Sequence, residues 1–353
     1  MSLQVETKSK VKLQEKENMT LREEFEKREH ELNSPYAAFS DCSKGRDREE
    51  EPCDLRTVYQ RDRDRIIHSK SFRRLKHKTQ VFLSPYGDHY RTRLTHTLEV
   101  AQIARTIARC LRMNEDLTEA IALGHDLGHT PFGHAGERAL TAMLGRPFRH
   151  NEQSVRVVEK LEKDGKGLNL TWEVRDGMLN HKTTLSPSTV EGEIVRISDK
   201  VAYISHDIDD GIRAGILFEE NIPKELTDVL GKTTRDRIDT LIHDIITASM
   251  DKPHIEMSPE VKDALFTLRT FMFENLYTSQ AAKSEEGKAV KMIERLFKHY
   301  SENTSDMGEE YLAMIDKGEA PETVVCDYIA GMTDNFAVMK YKDIYIPKSW
   351  IIV

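Results

Sequence analysis

Apolar residues recur every three or four positions along most of the chain, which is the spacing of one face of an α-helix. The segment THTLEVAQIARTIARCL shows this spacing clearly. Its predicted apolar face carries Leu98, Ala101, Ala104, Ile107 and Leu111. Thr95 precedes that face and is the residue type expected at an N-cap, so a helix is predicted to begin there.

Three further segments follow the same rules. NEDLTEAIALGHDLG is predicted to begin after the cap residue Asn114 and to end in glycines, and HNEQSVRVVEKLEKDG is also predicted to be helical. The longest of the three, EGEIVRISDKVAYISHDIDDGIRAG, has one apolar face and an opposite polar stripe. The apolar face carries Ile194, Ile197, Val201, Ile204, Ile208 and Ile212. The polar stripe carries Asp199, Tyr203, Asp207 and Asp210.

The rest of the chain completes a mainly α prediction. One segment, TQVFL–SPYGD–HYRT, has the alternation and turn residues of a short β-hairpin. Residues 1–52 are rich in Lys and Glu and contain LREEFEKREHEL, which predicts an exposed helix in a charged N-terminal arm. Residues 53–230 are predicted to form the core. Residues 231–353 form a helical C-terminal region that ends in an extended KDIYIPKSWIIV.

Composition narrows the class of protein. The chain has 353 residues, 38% hydrophobic and 32% charged, and a net charge of −8, which fits a globular protein and argues against a global nucleic-acid-binding surface. No apolar run approaches the length of a membrane span, and MSLQVETKSKVK lacks the apolar core of a signal peptide. The four cysteines lack CxxC spacing. We therefore expect a cytoplasmic protein without membrane contact and without a zinc–cysteine site.

The candidate chemistry lies in LGHDLGHTPFGHAGE, residues 123–137, where three histidines fall within ten positions. Glycines and Pro131 interrupt the preceding helix, so His125 and Asp126 are expected at its terminus. Imidazole and carboxylate suit Mn, Fe, Zn, Ni or Mg, and one adjacent pair cannot complete a coordination sphere. His96 and Asp207 are the predicted partners on other helices. Taken singly, His96 could be a packing histidine and Asp207 a solvated acid.

The order His96, His125-Asp126, Asp207 is similar to the H…HD…D pattern of the HD-domain metal phosphohydrolases. The wider motifs YRTRLTHTLEV, GHDLGHTPFGHAGE, FRHNEQS, YISHDIDD and DYIAGMTD resemble the deoxyguanosine triphosphate triphosphohydrolase family over about residues 54–337. The resemblance implies an HD-domain helical bundle with a bound divalent metal. It also implies cleavage of a dNTP between the α-phosphate and the 5′ oxygen, which releases deoxynucleoside and tripolyphosphate. A homo-oligomer, hexamer or tetramer, and a regulatory nucleotide are implied as well.

The same resemblance assigns catalytic roles. His134 matches the catalytic histidine, and we expect it to protonate the leaving 5′ oxygen. Glu137 would share its face and orient the imidazole if HAGERAL opens a helix. His129 is the expected second phosphate contact, and His150 in FRHNEQS matches another active-site histidine. The metal would polarise an α-phosphoryl oxygen.

Four residues are assigned to the substrate. Arg93, in the first turn of the helix that carries His96, is the expected phosphate arginine. Gln80 matches a position that meets the sugar. Tyr203 is placed to contact the ribose, although a packed tyrosine is an equal alternative, and Asp210 lies on the same stripe.

Two other functions stay open at this point. One is a different HD phosphohydrolase, such as a nucleoside monophosphatase or a cyclic-nucleotide phosphodiesterase. The other is a nucleic-acid-binding module that uses the basic run RDRDRIIHSKSFRRLKHK, residues 61–78. That run contains Phe72 as its one aromatic residue other than histidine, so the base-stacking signature of single-strand binding is missing. We expect the run to serve a compact polyanion, and nucleic acid is not favoured.

Overall fold

A computed structural model describes residues 19–80, 91–278 and 280–348, apart from the side chains of residues 280–284. Its α-helices, numbered in chain order, are α1 Leu21–Leu32, α2 Val58–Ile67, α3 Lys70–Arg74, α4 Arg93–Cys110, α5 Glu115–Gly124, α6 His134–Leu144, α7 His150–Arg156, α8 Glu162–Gly165, α9 Trp172–Asn180, α10 Val190–Arg213, α11 Lys224–Leu230, α12 Thr234–Ser249, α13 Pro259–Met272, α14 Gln280–Glu302, α15 Glu309–Asp316, α16 Pro321–Ala330 and α17 Asp334–Tyr345. Short 3₁₀ turns cover Ser40–Cys42, Leu75–His77, Glu219–Asn221 and Thr304–Met307, and π turns follow α7 at Val157–Leu161 and α13 at Phe273–Tyr277.

The mainly α fold is confirmed. Within the described residues, β pairing is limited to one antiparallel bridge between Thr79 and Thr92. The predicted hairpin spans these two residues, but its residues 81–90 lie outside the described part of the chain. No helix in the described part combines the length and apolar character of a membrane span.

Two apolar cores flank the segment that carries the candidate chemistry. The first core is built from α4, α5 and α10 with their neighbours and includes Ile103, Ile121 and Ile204. The second core joins α6 to α14 and α16 through residues such as Leu140 and Ile293. The segment between α5 and α6 leaves the first core at Leu127 and enters the second at Phe132. Both of its ends are therefore anchored by burial of apolar side chains.

N-cap residues set the helix starts, and one of the two predicted N-caps lies three residues too late in the sequence. Asn114 caps α5 as predicted, because its side chain accepts a hydrogen bond from the Leu117 amide. The start of α4 is different: the helix begins at Arg93, and Thr92 is the N-cap with extended backbone. The predicted cap at Thr95 is wrong, because Thr95 is already the third helical residue and closes a capping box with Thr92.

Two other details of the pattern are corrected. Ala101, Ala104, Ile107 and Leu111 are buried as predicted, but Leu98 is 50% exposed. Val100 and Ile103 are also buried, so the buried face of α4 is broader than the predicted stripe. Helix α4 packs against both α5 and α10, and these contacts decide which residues are covered. The C-terminal segment KDIY is not extended, because α17 continues to Tyr345. Residues 349–353 lie outside the described part.

The segment predicted as a charged arm makes polar contacts with the core helices. The backbone amide of Ala38 donates to Glu191 Oε1 at 3.0 Å, and the amide of Lys44 donates to Glu173 Oε1 at 2.7 Å. Arg46 donates to the fully buried carboxylate of Asp62. These contacts tie residues 38–46 to α2, α9 and α10. Residues 1–18 lie outside the described part, and the domain division stays a prediction.

Candidate metal centre and active site

Three predicted metal ligands converge in a buried group. His96 lies in the first turn of α4, and His125 and Asp126 directly follow the last residue of α5. One ligand atom from each lies within 4.8 Å of the others, and all three residues are buried. His125 Nδ1 lies 2.6 Å from the carbonyl oxygen of Ala122 and donates to it, because a carbonyl can only accept. His125 Nε2 therefore carries a lone pair that faces the group.

The carboxylate of Asp199 completes this group, and Asp207 does not. Asp199 Oδ1 lies 3.1 Å from His96 Nε2 and 3.9 Å from His125 Nε2. Asp207 lies two turns further along α10 and makes no ion pair with a histidine among the described residues. Its carboxylate instead accepts the hydroxyl of Tyr277. Asp207 was the predicted fourth ligand, but the structure places Asp199 and not Asp207 beside the two histidines.

The reason lies in helix geometry. Asp199 and Asp207 share one stripe of α10, but eight residues of α-helix rise about 12 Å, so only one of them can reach a fixed point. Periodicity alone places both on the correct face. The packing of α10 against α4 selects Asp199.

The donor set fits a divalent cation. It offers two imidazole nitrogens and two carboxylates, which suit transition metals and Mg²⁺. His125 Nε2 is buried and has no hydrogen-bond partner in the described part of the chain, which is the state expected of a ligand atom. Burial opposes ionisation of Asp126, yet the neighbouring imidazoles of His129 and His125 and the guanidinium of Arg93 hold its pKa well below the ordinary value.

Arg93 supports the metal group directly. Its Nη1 donates to Asp126 Oδ2 at 2.7 Å, and both side chains are buried. Arg93 was predicted to contact phosphate from the first turn of this helix, and it is the first residue of α4. In the structure its guanidinium pairs with the carboxylate of Asp126, a predicted ligand.

A second set of histidines surrounds Glu137 in α6. Helix α6 begins at His134, as HAGERAL predicts, and the Glu137 carboxylate lies one turn later. Glu137 Oε2 lies 3.0 Å from His134 Nδ1, and Glu137 Oε1 lies 2.7 Å from His150 Nδ1. The His150 ring stacks on the His129 ring with centroids 3.9 Å apart. All four predicted catalytic residues are thus brought together.

The residues of this second set differ in ionisation and in exposure. Burial favours the neutral form of Glu137, but hydrogen bonds from His134 and His150 dominate and hold its pKa far below the ordinary value. Burial, with Arg93 nearby, lowers the pKa of His129 well below its usual range. The His134 side chain is different in that it is 72% exposed. One ionised carboxylate therefore connects an exposed imidazole to a buried one.

Comparison with known proteins decides the family. The HD domain model matches residues 93–204, and a phosphohydrolase-associated domain model matches residues 255–343. A deoxyguanosinetriphosphate triphosphohydrolase-like protein of Caldanaerobacter subterraneus is 60% identical over 332 residues, which cover 94% of this chain and 98% of the relative. The chain belongs to the deoxyguanosinetriphosphate triphosphohydrolase-like family. The family suggested by the sequence motifs is confirmed.

Other similarities agree. A protein of the same description from Desulfatibacillum aliphaticivorans is 50% identical over 347 residues, with 93% of this chain and 99% of the relative covered. A solved phosphohydrolase from Bacteroides thetaiotaomicron superposes with a TM-score of 0.53 at 17% identity, covering 80% of this chain and 68% of that one, and supports the fold. The chain is therefore an HD-domain phosphohydrolase, which is a class of hydrolase.

One buried histidine of the site was missed by sequence analysis. His181 follows α9, and its Nε2 lies 3.3 Å from His150 Nε2. Its ring meets the His125 ring edge-on, with centroids 5.1 Å apart. His181 stands in MLNHKTT without any spaced partner, so the available signal was only a lone histidine at a predicted helix end.

The predicted substrate residues differ in their hydrogen-bond partners. Gln80 Oε1 is buried and has no hydrogen-bond partner among the described residues. The hydroxyl of Tyr203 accepts from Arg269 Nε at 3.0 Å, and burial raises the pKa of Tyr203 to about 12. Asp210 is buried and accepts from Arg91 Nη1 at 2.7 Å. Asp210 therefore already has a cationic partner within the chain.

Much of the basic run, residues 61–78, is used internally. Arg61 pairs with Glu50 at 3.0 Å, and Arg63 pairs with Asp116 at 3.1 Å. Lys78 is buried and donates to the backbone carbonyl of Ala330 at 2.9 Å. These contacts leave less free positive charge than the count of residues indicates. They weaken the case for a nucleic-acid surface.

Proposed function

We propose that this protein hydrolyses deoxynucleoside triphosphates, with dGTP as the reference substrate, to deoxynucleoside and tripolyphosphate in a metal-dependent reaction. One observation carries the proposal. The segment from His125 to His134 links a buried group of two histidines and two carboxylates to a histidine–glutamate set, because His129 lies beside Asp126 and its ring stacks on the ring of His150. A triphosphate ester needs both a cation for its charge and a proton for its leaving oxygen.

His96, His125, Asp126 and Asp199 would hold the divalent cation. When bound, it supplies Lewis-acid polarisation of the phosphoryl group. The remaining contributions come from the chain itself. Arg93 fixes one oxygen of Asp126 at 2.7 Å, and this contact keeps the carboxylate oriented without substrate. Burial lowers the pKa of both His129 and His150 and so favours their neutral rings. The His129 ring can donate its N–H to a phosphate oxygen, whereas the N–H of His150 is already donated to Glu137.

His134 is the proposed proton donor. Its Nδ1 is held by Glu137, so Nε2 is the nitrogen that can face the leaving 5′ oxygen. Because Glu137 accepts from Nδ1, a proton given to the alkoxide would leave from Nε2. The 72% exposure of the His134 side chain gives substrate access to it.

Product analysis tests the proposal. Protein stripped of metal and reconstituted with Mn²⁺ is incubated with each of the four dNTPs in ¹⁸O-labelled water, and products are separated by ion chromatography. We expect tripolyphosphate as the first phosphate product, carrying the ¹⁸O label because the bond to phosphorus is the one that breaks. Asp199→Asn should abolish turnover.

Other outcomes point to other functions. First release of pyrophosphate or orthophosphate would contradict the proposal, as would label in the nucleoside. Turnover of dGMP or a cyclic nucleotide without dNTP turnover would favour a different HD phosphohydrolase.

A further inference from the structure

An exposed group of metal-ligating side chains lies outside the candidate active site, where α1 meets the 3₁₀ turn Ser40–Cys42. His30 is in the last turn of α1, and Asp41 and Cys42 belong to the 3₁₀ turn. One ligand atom from each of these three residues lies within 4.8 Å of the others. The group therefore offers an imidazole nitrogen, a carboxylate oxygen and a sulfur to one point.

The distances within the group suit a shared metal ion. His30 Nε2 lies 2.9 Å from Asp41 Oδ1 and 3.0 Å from Asp41 Oδ2. Two ligand atoms bound to one metal at about 2.0–2.1 Å, at angles between about 90° and 110°, lie about 2.8–3.4 Å apart. Without a metal, His30 Nε2 donates to the carboxylate, which can only accept. A bound cation would take the place of that proton.

Neighbouring side chains hold the group in place from two sides. The Phe39 ring stacks on the His30 ring with centroids 4.1 Å apart. The Glu29 carboxylate accepts hydrogen bonds from the backbone amide and the hydroxyl of Ser40, each at 2.7 Å. These contacts fix α1 against the turn before any ligand binds. A metal ion would therefore lose little binding free energy to ordering the residues around it.

The local charge favours a cation. Desolvation, together with the carboxylates of Asp41 and Glu29, raises the pKa of the Cys42 thiol. The negative potential that disfavours a thiolate also attracts a divalent cation, and a bound cation in turn stabilises the thiolate. Cys42 is exposed, so an ion can reach it from solvent, and water can fill a further ligand position.

The sulfur ligand selects the class of metal. Thiolate with imidazole and carboxylate suits Zn²⁺ and similar borderline ions, whereas Mg²⁺ and Mn²⁺ prefer oxygen ligands. We propose that His30, Asp41 and Cys42 form a zinc site that joins α1 to the 3₁₀ turn. The cysteine spacing predicts no such site, because only the fold brings Cys42 beside His30. The site goes beyond the proposed function, since none of its ligands takes part in the hydrolysis.

Absorption of bound Co²⁺ tests the site in the full chain. Protein stripped with chelator and reduced with a phosphine is titrated with Co²⁺, a substitute for Zn²⁺ whose thiolate complexes absorb strongly in the near ultraviolet. The other groups of metal-ligating side chains in the described part of the chain contain no cysteine, so this band is assigned to Cys42. We expect the band in wild type and its loss in Cys42→Ser.

Two further variants separate this site from unspecific binding to a thiol. Cys110→Ser removes another exposed cysteine, the last residue of α4, and should keep the band. His30→Gln leaves Cys42 in place but removes the nitrogen ligand. It should raise the Co²⁺ concentration at half-saturation of the band more than about 10-fold. A circular dichroism melt checks that each variant is folded.

Alkylation of the wild type gives a second readout that needs no variant. Zn²⁺ should slow the reaction of Cys42 with iodoacetamide more than about 10-fold, because a sulfur bound to metal is not free to attack. Peptide mass spectrometry follows Cys42 and Cys110 in the same sample, and Cys110 should react at an unchanged rate.

Four results would overturn the inference. They are no band in wild type, an unchanged band in folded Cys42→Ser, unchanged half-saturation in folded His30→Gln, and equal effects of Zn²⁺ on the alkylation of Cys42 and Cys110. None of them depends on product analysis. Failure of the zinc site and failure of the proposed hydrolysis are therefore distinguishable.

Discussion

Replacing Gly128 with alanine tests whether close packing behind the metal motif positions the catalytic histidines. Gly128 lies between Asp126 and His129, and its amide donates to Ser154 Oγ at 2.9 Å. A Cβ at this position would lie 2.2 Å from the backbone nitrogen of Ser154 and 2.5 Å from the carbonyl oxygen of His150. Both neighbours are backbone atoms of α7, so no side chain can rotate away.

The magnitude follows from these distances. Ordinary contacts of a Cβ begin near 3.4 Å, so the loop and α7 must separate by about 1 Å. Overpacking of this kind costs about 1–3 kcal/mol of stability. The shift also separates His129 on the loop from His150 on α7, and a misplacement of about 1 Å can lower turnover about 100-fold.

The assay combines urea unfolding with steady-state turnover of dGTP in the folded range. Gly287→Ala is the control, because Gly287 is an exposed residue of α14 with nothing within 4 Å of an added Cβ. It should raise stability by about 0.5–1 kcal/mol, the usual gain of alanine over glycine in a helix, without changing turnover. A Gly128→Ala protein within about 0.5 kcal/mol of wild type, with normal turnover, would refute the reasoning.

Three further predictions concern the ligands, the proton donor and pH. Asp199→Asn should raise the Mn²⁺ dissociation constant more than about 100-fold, because it removes a ligand, whereas Asp207→Asn should change it less than about 10-fold; equal losses in calorimetric titrations would return Asp207 to the metal. His134→Ala should keep its metal yet lose about 10²–10⁴-fold in turnover, with a smaller loss for Glu137→Gln. Loss of metal from His134→Ala would make that histidine a ligand. Burial lowers the pKa of Lys78 from 10.5 to about 7. Between these values the unfolded chain binds a proton that the folded chain does not, so this lysine makes stability rise with pH across that window. Urea unfolding from pH 7 to pH 10 should show the rise in wild type and not in Lys78→Met, and identical slopes would contradict it.

The ion pairs of the basic run show why a count of its charges overestimates the positive charge that is available to a ligand. Its arginines look available in the sequence, but Arg61 and Arg63 meet acids that lie elsewhere in the chain, at Glu50 and Asp116. A local charge excess says nothing about partners contributed by other elements. Only the fold shows which cations remain free.

The sequence by itself determined the helical class, most helix positions and the identity of the central motif. Periodicity located α10, capping located the start of α5, and HAGERAL located α6. These features depend on residues within a few positions of each other, and local energetics decide them. The pairing of His134 with Glu137 is also a local feature, because residues three positions apart on a helix lie side by side.

Tertiary structure decided the contacts between distant segments. It chose Asp199 over Asp207, which helical spacing could not do because both lie on one stripe. It brought the lone His181 against His150, which lies 31 residues earlier in the chain. It also formed the ion pair between Arg93 and Asp126. Each of these contacts depends on how α4, α7, α9 and α10 pack against one another. A side chain's partner across such an interface is set by the shapes of both surfaces, which no local pattern encodes.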